Sequence, residues 1–135
     1  MTTAVDSSVL LDVFSGDPRF GTTSREALRT AYDSGALVAC EVVWAEVRAH
    51  FSDDKTFERA VELLGVRFDA ISNDAALAAG RLWRQSRIRA AGARDRLVAD
   101  FLIGAHARMQ ADALLSRDRG FYRRYFRLQL IDPST

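Results

Sequence analysis

The stretch Ala4-Val5-Asp6-Ser7-Ser8-Val9-Leu10-Leu11 decides the fold. A short apolar run ends on a carboxylate, and small hydroxyl residues then lead into a second apolar run. That is the form of a strand giving way to a helix, with an acid at the junction. The same alternation repeats outward from it. Further strands are expected at Ala36 to Cys40, Val66 to Ile71, Ala113 to Leu115 and Leu128 to Ile131. Helices are expected over roughly Thr23 to Ser34, Glu41 to Phe51, Asp53 to Leu64, from the Ser72-Asn73-Asp74 cap to about Ala90, and Leu97 to Met109. Gly35 and Gly65 stop two of them, Ser72-Asn73-Asp74 caps another, and Ala91-Gly92-Ala93-Arg94-Asp95 reads as a loop. Strands alternating with helices predict an α/β fold on a mainly parallel sheet of four to five strands.

The 135 residues are 48% hydrophobic and 27% charged, with two prolines and no linker-like tract, which predicts a single domain over residues 1–135 with a real core. The start of the chain has no basic head and long apolar run, and no stretch approaches the ~18 apolar residues of a membrane span. A cytoplasmic protein without membrane association is the expectation. Cys40 is the sole cysteine and sits in an apolar run, which excludes an internal disulfide or a thiolate zinc cluster. Net charge is +1, so overall charge gives no argument for nucleic acid, although Lys55 is the only lysine among 19 cations. Arginine suits bidentate phosphate contacts, but codon bias explains the excess equally well.

Most of the 18 acidic residues need no explanation beyond a solvated surface. Three sit in apolar surroundings: Asp6 after the first strand, Glu46 within Val42-Val43-Trp44-Ala45-Glu46-Val47, and Asp100 within Val98-Ala99-Asp100-Phe101-Leu102-Ile103. Each is costly to desolvate alone. Asp118 follows the fourth strand in Ser116-Arg117-Asp118. In open parallel sheets the ligand crevice lies beyond the carboxyl ends of the strands. Asp6, Glu46 and Asp118 are expected at that edge, and Asp100 joins them if its helix packs over it. Converging carboxylates repel, so they either hold protons or share a cation. Oxygen ligands without cysteine favour Mg²⁺ or Mn²⁺ over zinc. The alternative for any one of them is a helix cap or a partner for an arginine.

Val5-Asp6-Ser7-Ser8-Val9-Leu10-Leu11, Trp44-Ala45-Glu46-Val47, Ala99-Asp100-Phe101-Leu102-Ile103-Gly104-Ala105-His106-Ala107 and Leu114-Leu115-Ser116-Arg117-Asp118-Arg119-Gly120-Phe121 resemble, in order and spacing, the four acidic motifs of PIN domains. The resemblance spans essentially the whole chain. It implies a three-layer α/β/α fold and a metal-dependent ribonuclease, and at this chain length it is most similar to the VapC-type toxins of toxin–antitoxin pairs. That likeness implies an RNA substrate, a cognate antitoxin and a homodimeric assembly. Asp6, Glu46, Asp100 and Asp118 take the acidic positions, with Ser8 and Ser116 at small polar positions beside them. Cys40 and Glu41 depart from the serine or threonine that relatives often carry before the second helix. One or two Mg²⁺ or Mn²⁺ ions are expected to drive hydrolysis of an RNA phosphodiester.

His50, one turn after Glu46, reads as a capping or solvent-facing residue sooner than a ligand, and His106 as packing or surface. Arg81, Arg84 and Arg87 read as solvated helix surface. Arg94, Arg96 and Arg117 lie nearer the acids and are candidates for RNA phosphates, or else for pairing with the acids. Phe121, Tyr122, Tyr125 and Phe126 read as core packing of a short helix sooner than as a base-stacking surface. A haloacid-dehalogenase-like or receiver-like site would also put Asp6 after the first strand, but both want a lysine late in the chain, and the former a second acid where Ser8 stands. A PIN-like module that binds without cutting is the other alternative.

Overall fold

The computed structural model describes residues 1–89 and 97–134, so the expected loop Ala91 to Asp95, with Arg94 and Arg96, lies outside the described residues. Among the described residues strands and helices run β1 (Thr2–Val5), α1 (Ser7–Phe14), α2 (Gly21–Ser34), β2 (Ala36–Ala39), α3 (Glu41–Arg48), α4 (Asp54–Leu63), β3 (Val66–Phe68), α5 (Asn73–Arg89), α6 (Val98–Gln110), β4 (Ala113–Leu115), α7 (Arg119–Tyr125) and β5 (Gln129–Ile131). The strands form one sheet in the order β3-β2-β1-β4-β5, parallel throughout, between helical layers. No helix among the described residues is long and apolar enough to cross a membrane.

β1 lies in the middle because the chain first builds leftward through β2 and β3, then returns to lay β4 on the other side of β1. Reversing direction while keeping crossovers right-handed puts successive helices on opposite faces and opens a crevice where the order turns, between β1 and β4. Parallel pairing aligns Val5 with Leu115, and the next amide on, that of Asp6, donates to the Leu115 carbonyl at 3.0 Å. Asp6 and Ser116 therefore leave adjacent strands at the same edge.

The core is the near-continuous apolar filling that such a sheet demands. Val5, Val9, Leu10, Leu37, Val43, Val47, Phe101, Leu114 and Leu115 are all buried. Each large member removes enough apolar surface from water to be worth about 1.5–3 kcal/mol before chain entropy is counted. Gly104 on α6 lets the Phe126 ring come close, since a Cβ there would stand 2.3 Å from a ring carbon. Gly65, at φ +74, ends α4 in the left-handed region, and its missing side chain leaves room for Tyr32.

The elements match expectation in kind and depart at their ends. β3 stops at Phe68 and does not run to Ile71, because the chain beyond it bonds elsewhere. The Ala70 carbonyl accepts from the Gln110 amide at 2.8 Å, and the Ile71 amide donates to Glu41 Oε1 at 2.8 Å. α3 stops at Arg48, and residues 49–51 close in tighter turns. Asp53 caps α4 by accepting from the Thr56 amide at 2.8 Å, and the Ser72 hydroxyl accepts from the Ala75 amide at 3.1 Å at the start of α5.

Candidate active site

Asp6 ends β1, caps α1 and is 7% exposed. Its Oδ1 accepts from the Ser7 amide at 2.8 Å, and its Oδ2 accepts from the Ser116 hydroxyl at 2.7 Å and from the Tyr122 hydroxyl at 3.4 Å. Burial pushes the carboxyl above its ordinary range. The Ser116 and Ser7 bonds oppose that shift, whereas the charges of Glu46 and Asp100 add to it. The physical content is that three acids from β1, α3 and α6 share one electrostatic neighbourhood.

Each acid arrives there by local design. Glu46 projects from α3, is exposed, and accepts from the Ser7 hydroxyl at 3.1 Å, so one serine touches two acids. Ser7 also lies 3.5 Å from Asp6 Oδ1. Asp100 stands half-buried in the first turn of α6, which meets both α3 and β1. Asp118, exposed at the start of α7, is tied in through its backbone: its amide donates to the Ser116 hydroxyl at 3.0 Å. Ser116, fully buried, thus links the backbone of one acid to the carboxylate of another.

Among the described residues no group of three or more His, Cys, Asp or Glu side chains could hold a metal ion as it stands. In kind, the donors fit a hard dication. They are oxygen ligands, and the buried member is held in its neutral direction by desolvation and by two like charges, which a cation would reverse.

Other expected contributors are placed differently. The Ser8 hydroxyl is buried and makes no hydrogen bond, whereas the Ser7 hydroxyl reaches both Asp6 and Glu46. One residue turns a helix by about 100°, and Ser7, not Ser8, shares the face of Glu46. Arg117 does not pair with any of the four acids. Its Nε and Nη2 donate to Asp12 at 2.8 and 2.9 Å, and its guanidinium lies 4.1 Å from the Phe20 ring centre. Asp12 is a residue the sequence reading passed over, although it interrupts the apolar run Val9 to Phe14 just as Glu46 and Asp100 interrupt theirs. Tyr122, expected as packing sooner than base stacking, is buried in an aromatic cluster and turns its hydroxyl toward Asp6.

His50 is exposed beyond the end of α3. His106 is buried, with Nε2 2.8 Å from Asp69 Oδ2, where it locks α6 to the segment after β3. Arg81, Arg84 and Arg87 are exposed on α5, Arg87 resting over Trp83 at 5.1 Å. Cys40 occupies the N-cap of α3 without a side-chain capping bond.

A family model described as the PIN domain matches residues 3–127. No protein of curated function matches the chain by sequence. Several solved structures share the fold. A chain in the structure of VapBC2 from Rickettsia felis bound to a fragment of its promoter DNA superimposes with a TM-score of 0.74 at 15% identity, covering 98% of each chain. A toxin–antitoxin complex from Klebsiella pneumoniae gives 0.70 at 19% identity over 97% of each. VapC20 from Mycobacterium tuberculosis, a toxin that cleaves the sarcin–ricin loop, gives 0.53 at 16% identity, covering 83% of this chain and 86% of the other.

Proposed function

The chain belongs to the PIN-domain family, and on that footing we propose that it is a metal-dependent ribonuclease, the toxin of a toxin–antitoxin pair. The observation that carries the reading is the buried Asp6 carboxylate at the carboxyl edge of β1, under the repulsion of Glu46 and Asp100. An acid so placed costs stability unless a positive charge completes it, and a site for a cation is the reason to keep it. Asp6, Glu46, Asp100 and Asp118 would hold Mg²⁺ or Mn²⁺. When bound, such an ion supplies Lewis acidity toward a phosphodiester and a nucleophile from water near neutral pH.

The protein's own contribution is orientation. Ser116 and the Ser7 amide fix both oxygens of Asp6, and Ser7 sets Glu46 against it. A carboxyl whose proton affinity is raised by burial takes up metal in competition with protons, so metal binding at Asp6 is coupled to pH. RNA is the proposed substrate: the fold is shared with a toxin that cleaves the sarcin–ricin loop. A cognate antitoxin is the proposed protein partner, since the fold also occurs in toxin–antitoxin complexes. Assembly as a homodimer and action in the cytoplasm belong to the same proposal.

RNA cleavage titrated with Mg²⁺ or Mn²⁺, with EDTA as control, tests it. Cleavage should require the ion and vanish in Asp100→Asn, while the melting profile stays cooperative. The rival is a PIN-like module that binds RNA without cutting it. RNA binding that survives EDTA, with no cleavage at any metal concentration, would establish that rival.

A further inference from the structure

Asp12 and Arg117 form an ion pair that the cutting chemistry does not itself consume. Asp12 is 4% exposed on α1, and both of its oxygens accept from the Arg117 fork, with the Ser24 hydroxyl adding a third bond at 2.8 Å. The fork is planar and bidentate, a geometry that fixes direction as well as distance. Phe20 backs the guanidinium at 4.1 Å, and Asp17 places Phe20 by accepting from the Arg19 and Phe20 amides, each at 2.8 Å. Arg117 therefore has Nε, Nη2 and one face of its guanidinium committed to Asp12 and Phe20.

The turn from Ser116 to Asp118 consequently touches α1 at two places. Ser116 holds Asp6 at the head of the helix, and Arg117 holds Asp12 six residues on, about 9 Å along the axis at 1.5 Å per residue. A single contact would let the turn pivot; two separated contacts set its orientation. We propose that Asp12 and Arg117 are a positioning pair, which clasps the β4–α7 turn to α1 so that Ser116 stays on Asp6 and Asp118 keeps its place beside it. The proposal rests on the reading of the acids as a metal-dependent ribonuclease.

The test compares wild type with Asp12→Asn, Arg117→Lys and the double variant. It measures Mn²⁺ affinity by the electron paramagnetic resonance signal of the free ion, the kinetics of cleavage of a short RNA, and thermal melts. Arg117→Lys keeps the charge but loses the fork. Each single variant is expected to weaken Mn²⁺ binding about tenfold and lower kcat about tenfold, with KM unchanged. The double variant should lose no more than the worse single, because either change opens the same clasp. If Asp12→Asn does not fold, Arg117→Lys carries the comparison. A raised KM at unchanged Mn²⁺ affinity, with a salt slope smaller by about one, would make Arg117 a phosphate contact and overturn the proposal. Lowered melts with Mn²⁺ affinity and kcat unchanged would overturn it too, reducing the pair to a structural brace. Wild type that neither binds Mn²⁺ nor cleaves RNA would overturn the nuclease reading itself, and the positioning role with it.

Discussion

The Ser116 hydroxyl donates to Asp6 Oδ2 at 2.7 Å, joining residues 110 positions apart across the seam between β1 and β4. The Ser116 hydroxyl oxygen also accepts from the Asp118 amide at 3.0 Å. Removing it in Ser116→Ala strips a buried carboxylate of a partner and an amide of its acceptor. A loss of about 1–3 kcal/mol in unfolding free energy is expected, from denaturant titration. Cleavage should fall by about 10–100-fold, since Asp6 is left less firmly aimed. A variant with wild-type rate would show that the hydroxyl does not orient the acid.

Asp6 should make the metal-free protein less stable at neutral pH than it would be without the charge. Its carboxyl is raised above the ordinary 3.8 chiefly by burial. Between the ordinary and the raised value the native state binds more protons than the unfolded chain, so stability falls as pH climbs through that window. Asp6→Asn is therefore expected to raise Tm in EDTA at neutral pH, with the gain disappearing below the ordinary carboxylate range. Cleavage in the same variant should drop at least about a hundredfold. An unchanged or lower Tm at neutral pH would contradict the burial account.

The sequence disclosed the alternation of strands and helices because that signal is local: apolar runs in register with period and bounded by Gly65, Ser72 or Asp53. It did not disclose where β3 ends, because Gln110 and Glu41, far along the chain, capture the groups that would have continued the ladder. The acids were legible as charges misplaced in apolar runs, and Asp12 carried the same mark. Its meaning depends on Arg117, 105 residues away, and such a partnership has no local signature. Ser7 and Ser8 are likewise indistinguishable until the helix assigns them different faces.

Two glycines should respond oppositely to alanine. At Gly104 a Cβ would meet the Phe126 ring at 2.3 to 2.8 Å, so Gly104→Ala is expected to destabilise by about 1–3 kcal/mol. At Gly80, on α5, nothing lies within 4 Å, and Gly80→Ala should stabilise by about 0.5–1 kcal/mol through the lower chain entropy of the unfolded state. Thermal denaturation of the two variants side by side checks both signs.

Cys40 should be inert in the native protein. It is 1% exposed, and burial pushes its thiol above the ordinary 9.0, leaving little thiolate to react. Ellman's reagent is expected to modify it only after denaturant is added. Rapid stoichiometric labelling of the folded chain would show that the N-terminal end of α3 opens.

The central place of β1 also governs when the acidic crevice can form during synthesis. Its first neighbour, β2, emerges early in synthesis, but the second, β4, is complete only at Leu115. A nascent chain halted before then carries Asp6 and Glu46 with one side of β1 unzipped and neither Ser116 nor Asp118 yet made. The acids of the crevice are thus brought together only once Ser116 and Asp118 have been made, and a fragment that stops short of Leu115 lacks one wall of the crevice.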